Sequence, residues 1–297
     1  MQIPCRFPSL LGAVVALAAL PAVAQEAPET TGKPLPLGMN LQRPVTEHAK
    51  DLVWLDDMLL VIITAIVIFV TALLGYTIWR YRASNNPEPA AFTHNATVEV
   101  VWTAVPVLIL VAIAIPSLRL LDTQLTIPEP ELTIKATGYQ WYWGYEYPDA
   151  GIAFDAYPVG YYATSEEERL QELAEAGYAP DEYLLAATER MVVPVDTNVH
   201  LLVTGGDVIH NWAMPAFGIK TDAIPGRLNE AWFNVSETGT YFGQCSELCG
   251  MHHAYMPITV EVVTREEYDA WLAEQVAKRD GTAATDLAQA APVTAID

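Results

Sequence analysis

Two cysteines, a histidine and a methionine lie close together in the short stretch Gln244–Met256. Cys245 and Cys249 are four residues apart, His253 follows four residues later, and Met256 three residues after that. Thiolate and imidazole are soft ligands that select copper, zinc or iron–sulfur clusters over magnesium or calcium. A thioether is a poor zinc ligand but a weak copper ligand in electron-transfer sites. The stretch therefore predicts a site for a soft metal.

A further candidate ligand lies upstream. His210 occurs in Asp207–Trp212, which predicts the end of a strand. The ligand-rich loop follows Asn234–Gly243, whose pattern indicates a strand, a turn and a second strand. A distant histidine and a ligand-rich loop between strands are typical of a metal site at the rim of a β-barrel.

Three interpretations of the loop compete. The first is a structural disulfide between Cys245 and Cys249, which an exported chain could form. The second is a structural zinc site of two cysteines and two histidines. The third is copper: a mononuclear blue-copper site needs one cysteine, two histidines and an axial methionine, and a second cysteine would allow two metals to be bridged by both thiolates.

The pattern Cys-Ser-Glu-Leu-Cys-Gly-x-x-His-x-x-Met at 245–256, with a histidine upstream, resembles the dinuclear copper A loop of subunit II of haem–copper cytochrome c oxidases. The resemblance implies that Cys245 and Cys249 bridge two copper ions. It also implies that His210 and His253 each bind one of the coppers.

The resemblance extends to weaker ligands. Met256 would bind one copper and the backbone carbonyl of Glu247 the other. The carboxylate of Glu247 would reach a magnesium or manganese ion at the interface with subunit I. His252 has the wrong spacing for a ligand, although it precedes His253 directly.

An aromatic segment precedes these ligands. Apolar and polar residues alternate from residue 132, and the pattern continues to residue 147, which predicts one continuous strand. Period two would place one set of aromatic side chains on a single face of that strand: Tyr139, Trp141, Trp143, Tyr145 and Tyr147.

This segment resembles the family's Gly-His-Gln-Trp-Tyr-Trp, with Tyr139 where the family commonly has histidine. The resemblance implies that Trp141 lies over the copper pair and receives the electron. It also implies that Glu146 and Asp207 face cytochrome c.

Two apolar runs, at about 58–79 and 98–118, are each near the ~20 residues that a membrane-spanning helix needs. We expect a transmembrane hairpin over 52–120. Arg80 and Arg82 after the first run predict a cytoplasmic edge by the positive-inside rule. Glu99 lies near the start of the second run, and the resemblance implies that its carboxylate marks the mouth of a proton path into subunit I.

The remaining segments have simpler patterns. Residues 1–24 predict a secretory signal, with small residues before the cleavage point. Residues 25–51 predict an extended arm outside the membrane, and 281–297 a disordered tail. Two S/T-x-x-E capping boxes predict helices that begin after Ser165 and Thr264.

Between hairpin and tail, 121–280 contains many short predicted strands. The resemblance implies that they form an all-β Greek-key cupredoxin-like barrel facing the periplasm of a bacterial inner membrane. From residue 119 to the end there are 28 acidic and 9 basic residues, a net charge of −19. Such a domain would repel nucleic acid. Composition alone leaves two interpretations of the charge open: attraction of a basic protein, or solubility.

The resemblance implies the electron-accepting subunit II of cytochrome c oxidase. It would take electrons from cytochrome c and pass them to haem in subunit I, alongside subunit III, for oxygen reduction coupled to proton translocation. A quinol oxidase subunit II would lack the copper ligands. Nitrous oxide reductase shares the loop but needs no membrane hairpin, and a copper carrier would leave Glu99 and the aromatic segment without a purpose.

Overall fold

The computed structural model describes residues 32–88 and 90–289, the last eight of these by backbone alone. The predicted signal sequence 1–24 lies outside the described residues, as does the end of the predicted tail, 290–297. The first part of the predicted arm is outside them as well.

Two long helices open the described chain: α1 (Glu47–Arg80) and α2 (Ala96–Leu125). Both are long and apolar enough to cross a membrane, with mean hydropathies of 2.9 and 2.5 in their most apolar windows, and those windows are not buried within the chain. Both predicted spans lie within them. The helices extend beyond these spans because polar residues cap their first turns.

Two boundaries of the predicted hairpin differ from those observed. The side chain of Thr46 accepts a hydrogen bond from the backbone N–H of Ala49, so helix begins inside the segment predicted as an extended arm. The arm prediction is therefore corrected over 47–51. At the other end of the hairpin, α2 continues to Leu125, five residues beyond the predicted limit of 120.

In the described part of the chain after the hairpin, ten strands form two five-stranded sheets. In the first sheet the order is β3-β2-β1-β5-β8, and in the second it is β4-β10-β9-β6-β7. Two pairs, β1 with β5 and β4 with β10, are parallel, and the other pairs are antiparallel. The strands are β1 (Leu132–Tyr139), β2 (Tyr142–Tyr147), β3 (Ile152–Ala156), β4 (Met191–Pro194), β5 (Val199–Gly205), β6 (His210–Met214), β7 (Ile219–Ala223), β8 (Asn229–Phe233), β9 (Gly239–Cys245) and β10 (Pro257–Val263).

One apolar core joins the two sheets. Ile134 and Leu201 of the first sheet and Met191 and Val260 of the second belong to the same buried cluster, and each is 0% exposed. Fully burying one side chain of this size stabilises a fold by about 1.5–3 kcal/mol. The sheets therefore pack as a β-sandwich, which confirms the predicted architecture of a helical hairpin followed by an all-β domain.

The predicted continuous strand over 132–147 is wrong. Gln140 and Trp141 form the turn of a β-hairpin, in which Tyr139 of β1 pairs with Tyr142 of β2. The backbone N–H of Gln140 donates to the distant Asp207 carboxylate at 2.7 Å. This long-range contact stabilises a turn that the local pattern does not predict.

The hairpin changes which aromatic side chains share a face. The three beyond the turn do point together into the core: Trp143, Tyr145 and Tyr147 are at most 1% exposed. Trp141 lies in the turn, outside this set. Tyr139 instead stacks on Tyr142, with ring centroids 4.9 Å apart.

Both predicted capping boxes occur. Ser165 caps α3 (Glu166–Glu175), accepting from the backbone N–H of Glu168 at 3.1 Å. Thr264 precedes α4 (Arg265–Gln289) and accepts from the backbone N–H of Glu267 at 3.3 Å.

Helix α4 corrects the tail prediction over 281–289. The helix continues through Gln289, because the alanines in this part of the chain have the highest intrinsic helix propensity. Near its start, Trp271 packs against Tyr147 with ring centroids 5.2 Å apart, which attaches α4 to the sandwich.

We expect Thr264→Ala to destabilise the first turn of α4 by about 1 kcal/mol, because it removes the hydroxyl that caps the helix. Hydrogen exchange at the amide of Glu267, in the full chain, measures the change. Thr264→Ser keeps the hydroxyl and is the matched control. Equal protection in the alanine and serine variants would contradict the capping role.

Candidate metal centre

The predicted ligands come together at one end of the second sheet. His210 is the first residue of β6 and Cys245 is the last residue of β9. These strands are antiparallel neighbours, with Trp212 opposite Cys245. The loop from β9 to β10 then carries Cys249, and a short 3-10 helix, His253–Tyr255, completes it.

Five side chains, four from this loop and its preceding strand end and one from β6, come together here. The sulfur of Cys245 lies 3.9 Å from the sulfur of Cys249 and 3.9 Å from Nδ1 of His210. The sulfur of Cys249 is 3.6 Å from Nδ1 of His253 and 3.5 Å from Sδ of Met256. His210, Cys245 and Cys249 have ligand atoms that all lie within 4.8 Å of one another.

Both cysteines are buried and free, so the disulfide interpretation is wrong. Burial raises the pKa of each thiol. For Cys245 this is outweighed by the hydrogen bond with His210 and by backbone hydrogen bonds, which bring the pKa to about 7. For Cys249, burial and the neighbouring charge of Cys245 raise the pKa to about 12. The first thiol therefore ionises near neutrality, whereas the second keeps its proton.

His210 is held by Asp207, a role that sequence reasoning missed. Oδ1 of Asp207 lies 2.8 Å from Nε2 of His210, which leaves Nδ1 turned towards the sulfur of Cys245. Such a carboxylate fixes the tautomer and ring orientation of a metal-binding histidine. Although burial raises the pKa of Asp207, hydrogen bonds from His210 and backbone N–H groups lower it overall, so the carboxylate is charged.

Trp141 lies beside the same loop. The side-chain amide of the adjacent Gln140 donates to the backbone carbonyl of Cys249 at 2.8 Å. The ring of Trp141 meets that of His252 edge-on at 4.4 Å. His252 also hydrogen-bonds the hydroxyl of Tyr161. His252 therefore packs against the rings of Trp141 and Tyr161, apart from the ligand atoms.

Of the other predicted site residues, only the backbone of Glu247 comes close to a sulfur atom of the site. The carbonyl of Glu247 is 3.3 Å from the sulfur of Cys245, while the rest of Glu247 is exposed. Glu146 forms an ion pair with Lys135 at 2.7 Å, on the part of β2 remote from the turn. Glu99 accepts from the backbone N–H of Asn95 at 3.0 Å and so helps to cap α2.

The donor set suits a soft metal. It combines two thiols, two imidazoles and a thioether in a site where the sulfurs belong to residues at most 5% exposed. A thioether beside thiolates favours copper over zinc, and the carbonyl of Glu247 adds one weak oxygen donor. The residues present therefore fit copper.

Comparison with known proteins identifies the family of this chain. The profile for the periplasmic domain of cytochrome c oxidase subunit II matches residues 132–263, and the profile for its transmembrane domain matches residues 34–120. The chain is 52% identical over 289 residues to cytochrome c oxidase subunit 2 of Cereibacter sphaeroides, covering 95% of this chain and 94% of that protein.

Two further proteins of the same kind are less similar to this chain in sequence. A probable cytochrome c oxidase subunit 2 of Rickettsia felis is 45% identical over 82% of this chain and 73% of its own length. The crystal structure of the periplasmic domain of subunit II of cytochrome oxidase of Bradyrhizobium japonicum is 45% identical, with a TM-score of 0.43 and coverage of 52% of this chain and 99% of that one. The chain belongs to the cytochrome c oxidase subunit II family, and it is a membrane protein of that enzyme class.

We expect Gly138→Ala to weaken metal binding without removing a ligand. A Cβ at this position would lie 2.9 Å from side-chain atoms of His210 and would force the imidazole to move. A moved imidazole would lose the orientation that the hydrogen bond with Asp207 gives it, and loss of such an orienting contact costs about 10- to 100-fold in metal affinity. Competition with a copper chelator measures the change. Gly75→Ala, which meets no atom within 4 Å, is the control, and equal affinity of both variants would contradict the steric argument.

We also expect metal uptake to release protons and to weaken as pH falls. Metal binds the thiolate, and the pKa of about 12 for Cys249 means that this thiol must lose a proton at neutral pH. The affinity should therefore rise between about pH 6 and 8 as fewer protons compete. Calorimetry in buffers of different ionisation enthalpy counts the protons. Cys249→Ser should release fewer, and a pH-independent affinity would oppose this account.

Proposed function

We propose that this chain is the electron-accepting subunit of a cytochrome c oxidase, with a dinuclear copper A centre. One observation carries the proposal: two free thiols 3.9 Å apart share a buried site with two imidazoles and a thioether. Cys245 and Cys249 would bridge the coppers, and His210 and His253 would bind one each. A bound copper pair would store and release one electron at a time.

The protein around these ligands favours electron relay over catalysis. His210 is 0% and Met256 1% exposed, so water and substrate have little access to the ligand atoms. Paired strands and the Asp207 hydrogen bond hold the donors in place, which limits rearrangement between redox states. The chemistry of oxygen would then take place elsewhere, at haem in subunit I, coupled to proton translocation.

Trp141 is the proposed point of electron uptake. Its turn contacts the loop between the ligands through the hydrogen bond from Gln140 to the carbonyl of Cys249. The donor would be cytochrome c, a basic protein attracted by the net charge of −19 over residues 119–297. Asp207 and Glu146 are proposed to contribute to that attraction, although both already accept hydrogen bonds from this chain.

The membrane hairpin supports assembly with other subunits. Many large apolar side chains of α1 and α2 are exposed, which suits contact with lipid and with subunits I and III. With a cleaved signal sequence and Arg80 and Arg82 inside, the β-domain would face the periplasm of a bacterial inner membrane. Glu99 would then open a proton path, and the exposed carboxylate of Glu247 would bind magnesium or manganese at the subunit I interface.

We expect Trp141→Phe to slow reduction of the centre by cytochrome c on the order of tenfold or more, because it alters the group bridging donor and acceptor. Two coppers per chain, with the spin shared between both nuclei, should remain. Stopped-flow absorption, metal analysis and electron spin resonance of the intact oxidase measure these quantities.

The outcomes separate the parts of the proposal. Zinc, or a single metal per chain, in the unsubstituted protein would contradict the dinuclear copper centre. Unchanged reduction in the Trp141→Phe variant, with full copper content, would contradict electron uptake through this side chain.

A further inference from the structure

A cavity of about 300 Å³ lies beside Trp141, on the face where the proposed donor would dock. Most of its wall is made of aromatic rings, three of them supplied by the segment between β3 and α3. These rings belong to Trp141, Tyr142, Tyr157, Tyr161, Tyr162 and Tyr255. We call this cavity the aromatic cage.

The rings of the aromatic cage support one another. Tyr142 stacks on Tyr157 with centroids 4.6 Å apart. Tyr161 contacts Tyr162 edge-on at 4.8 Å and Tyr255 at 5.2 Å. Tyr161 is further held by its hydrogen bond to His252, which packs against Trp141. The cage is therefore lined by two groups of packed rings, one around Tyr157 and one around Tyr161.

Ring faces remain accessible to a partner. Tyr157 is 41% and Tyr162 is 81% exposed, although both side chains are large and aromatic. Exposed aromatic side chains grouped around one cavity offer contact area to a partner. The cage thus presents aromatic area that the chain itself does not cover.

The electrostatics of the aromatic cage favour a cation. The described residues that line it include no lysine or arginine. The hydroxyl of Tyr157 hydrogen-bonds Asp155 at 3.4 Å, and the pKa of Tyr157 is raised by burial and by the charge of Asp155. The phenol is therefore neutral beside a carboxylate, so the negative face of its ring and the nearby charge act in the same direction.

We propose that the aromatic cage binds a cationic side chain, a lysine or arginine, of the basic protein that donates electrons. A cation over the face of a tyrosine or tryptophan is attracted by the ring quadrupole, and aromatic cages recognise ammonium groups in this way. Because Trp141 lines the same cavity, a cation held there fixes the donor's orientation at the point of electron uptake. This inference rests on the proposed function.

An apolar anchor is the competing occupant, and two substitutions of one residue distinguish it. In the intact oxidase, Tyr162→Leu keeps apolar area but removes the ring, whereas Tyr162→Phe keeps the ring and removes the hydroxyl. We expect Tyr162→Leu to raise the Kd for a basic cytochrome c by about three- to tenfold, and Tyr162→Phe to retain most of the affinity. Phe92→Leu, an exposed ring remote from the cage, is the control.

A small cation provides an independent probe. At equal ionic strength, tetramethylammonium chloride should weaken binding of the cytochrome more than sodium chloride does, because it fits the cage as well as screening charge. This excess should disappear in Tyr162→Leu. Copper content and the spin resonance spectrum should stay as in the unsubstituted oxidase, which excludes an indirect effect through the metal site.

Each result decides between outcomes. Equal Kd values for the leucine and phenylalanine variants, or equal effects of tetramethylammonium and sodium, would overturn cation binding in the cage. Failure of the unsubstituted oxidase to bind any basic cytochrome c would instead count against the proposed function itself.

Discussion

The short pairing between β6 and β9 is the constraint on which the site depends. Only the pairs Trp212–Cys245 and Ala213–Gln244 join these strands, at the end of the sheet where the ligands lie. This pairing places His210 opposite the sequence that leads into the ligand loop. The backbone N–H of Ser246 then donates to the carbonyl of Asn211, so the loop leaves β9 against a fixed neighbour. Strands distant in sequence thus define where His210 and Cys245 can meet.

Asp207 links His210, at the start of β6, to the turn between β1 and β2. One oxygen of its carboxylate orients His210, and the other accepts from the backbone N–H of Gln140 in the turn that carries Trp141. A charged acceptor with several donors is stronger than a neutral one and rigidifies its surroundings. The carboxylate of Asp207 therefore supports both His210 and the turn that carries Trp141. In the proposed electron transfer, this shared hydrogen-bond acceptor would fix the distance between Trp141 and the metal-binding residues.

Local patterns predicted much of this molecule. Apolar runs gave the membrane helices, capping boxes gave the starts of α3 and α4, and ligand spacing identified the loop at Cys245–Met256, because each depends on residues close in sequence. The turn at Gln140–Trp141 did not follow from such patterns, since it depends on Asp207. The same is true of the contact between His252 and Tyr161, which brings the segment before α3 to the site. Alternation along 132–147 continues through the turn, so periodicity alone could not reveal it.

Charge and aromatic contact act over different distances, and this separation explains how an acidic domain can still be selective. Opposite charges exposed to solvent attract each other over roughly 10 Å at moderate salt, and salt screens the attraction at longer distances. Such attraction speeds the approach of a basic protein but fixes its register only loosely. The rings around Trp141 act only at contact, where water has been displaced. Glu146, paired with Lys135 on the remote part of β2, suits the first task better than the second. The surface around Trp141 and Tyr162 suits the second, because orientation at the proposed point of electron uptake would require short-range contacts that a diffuse field cannot supply.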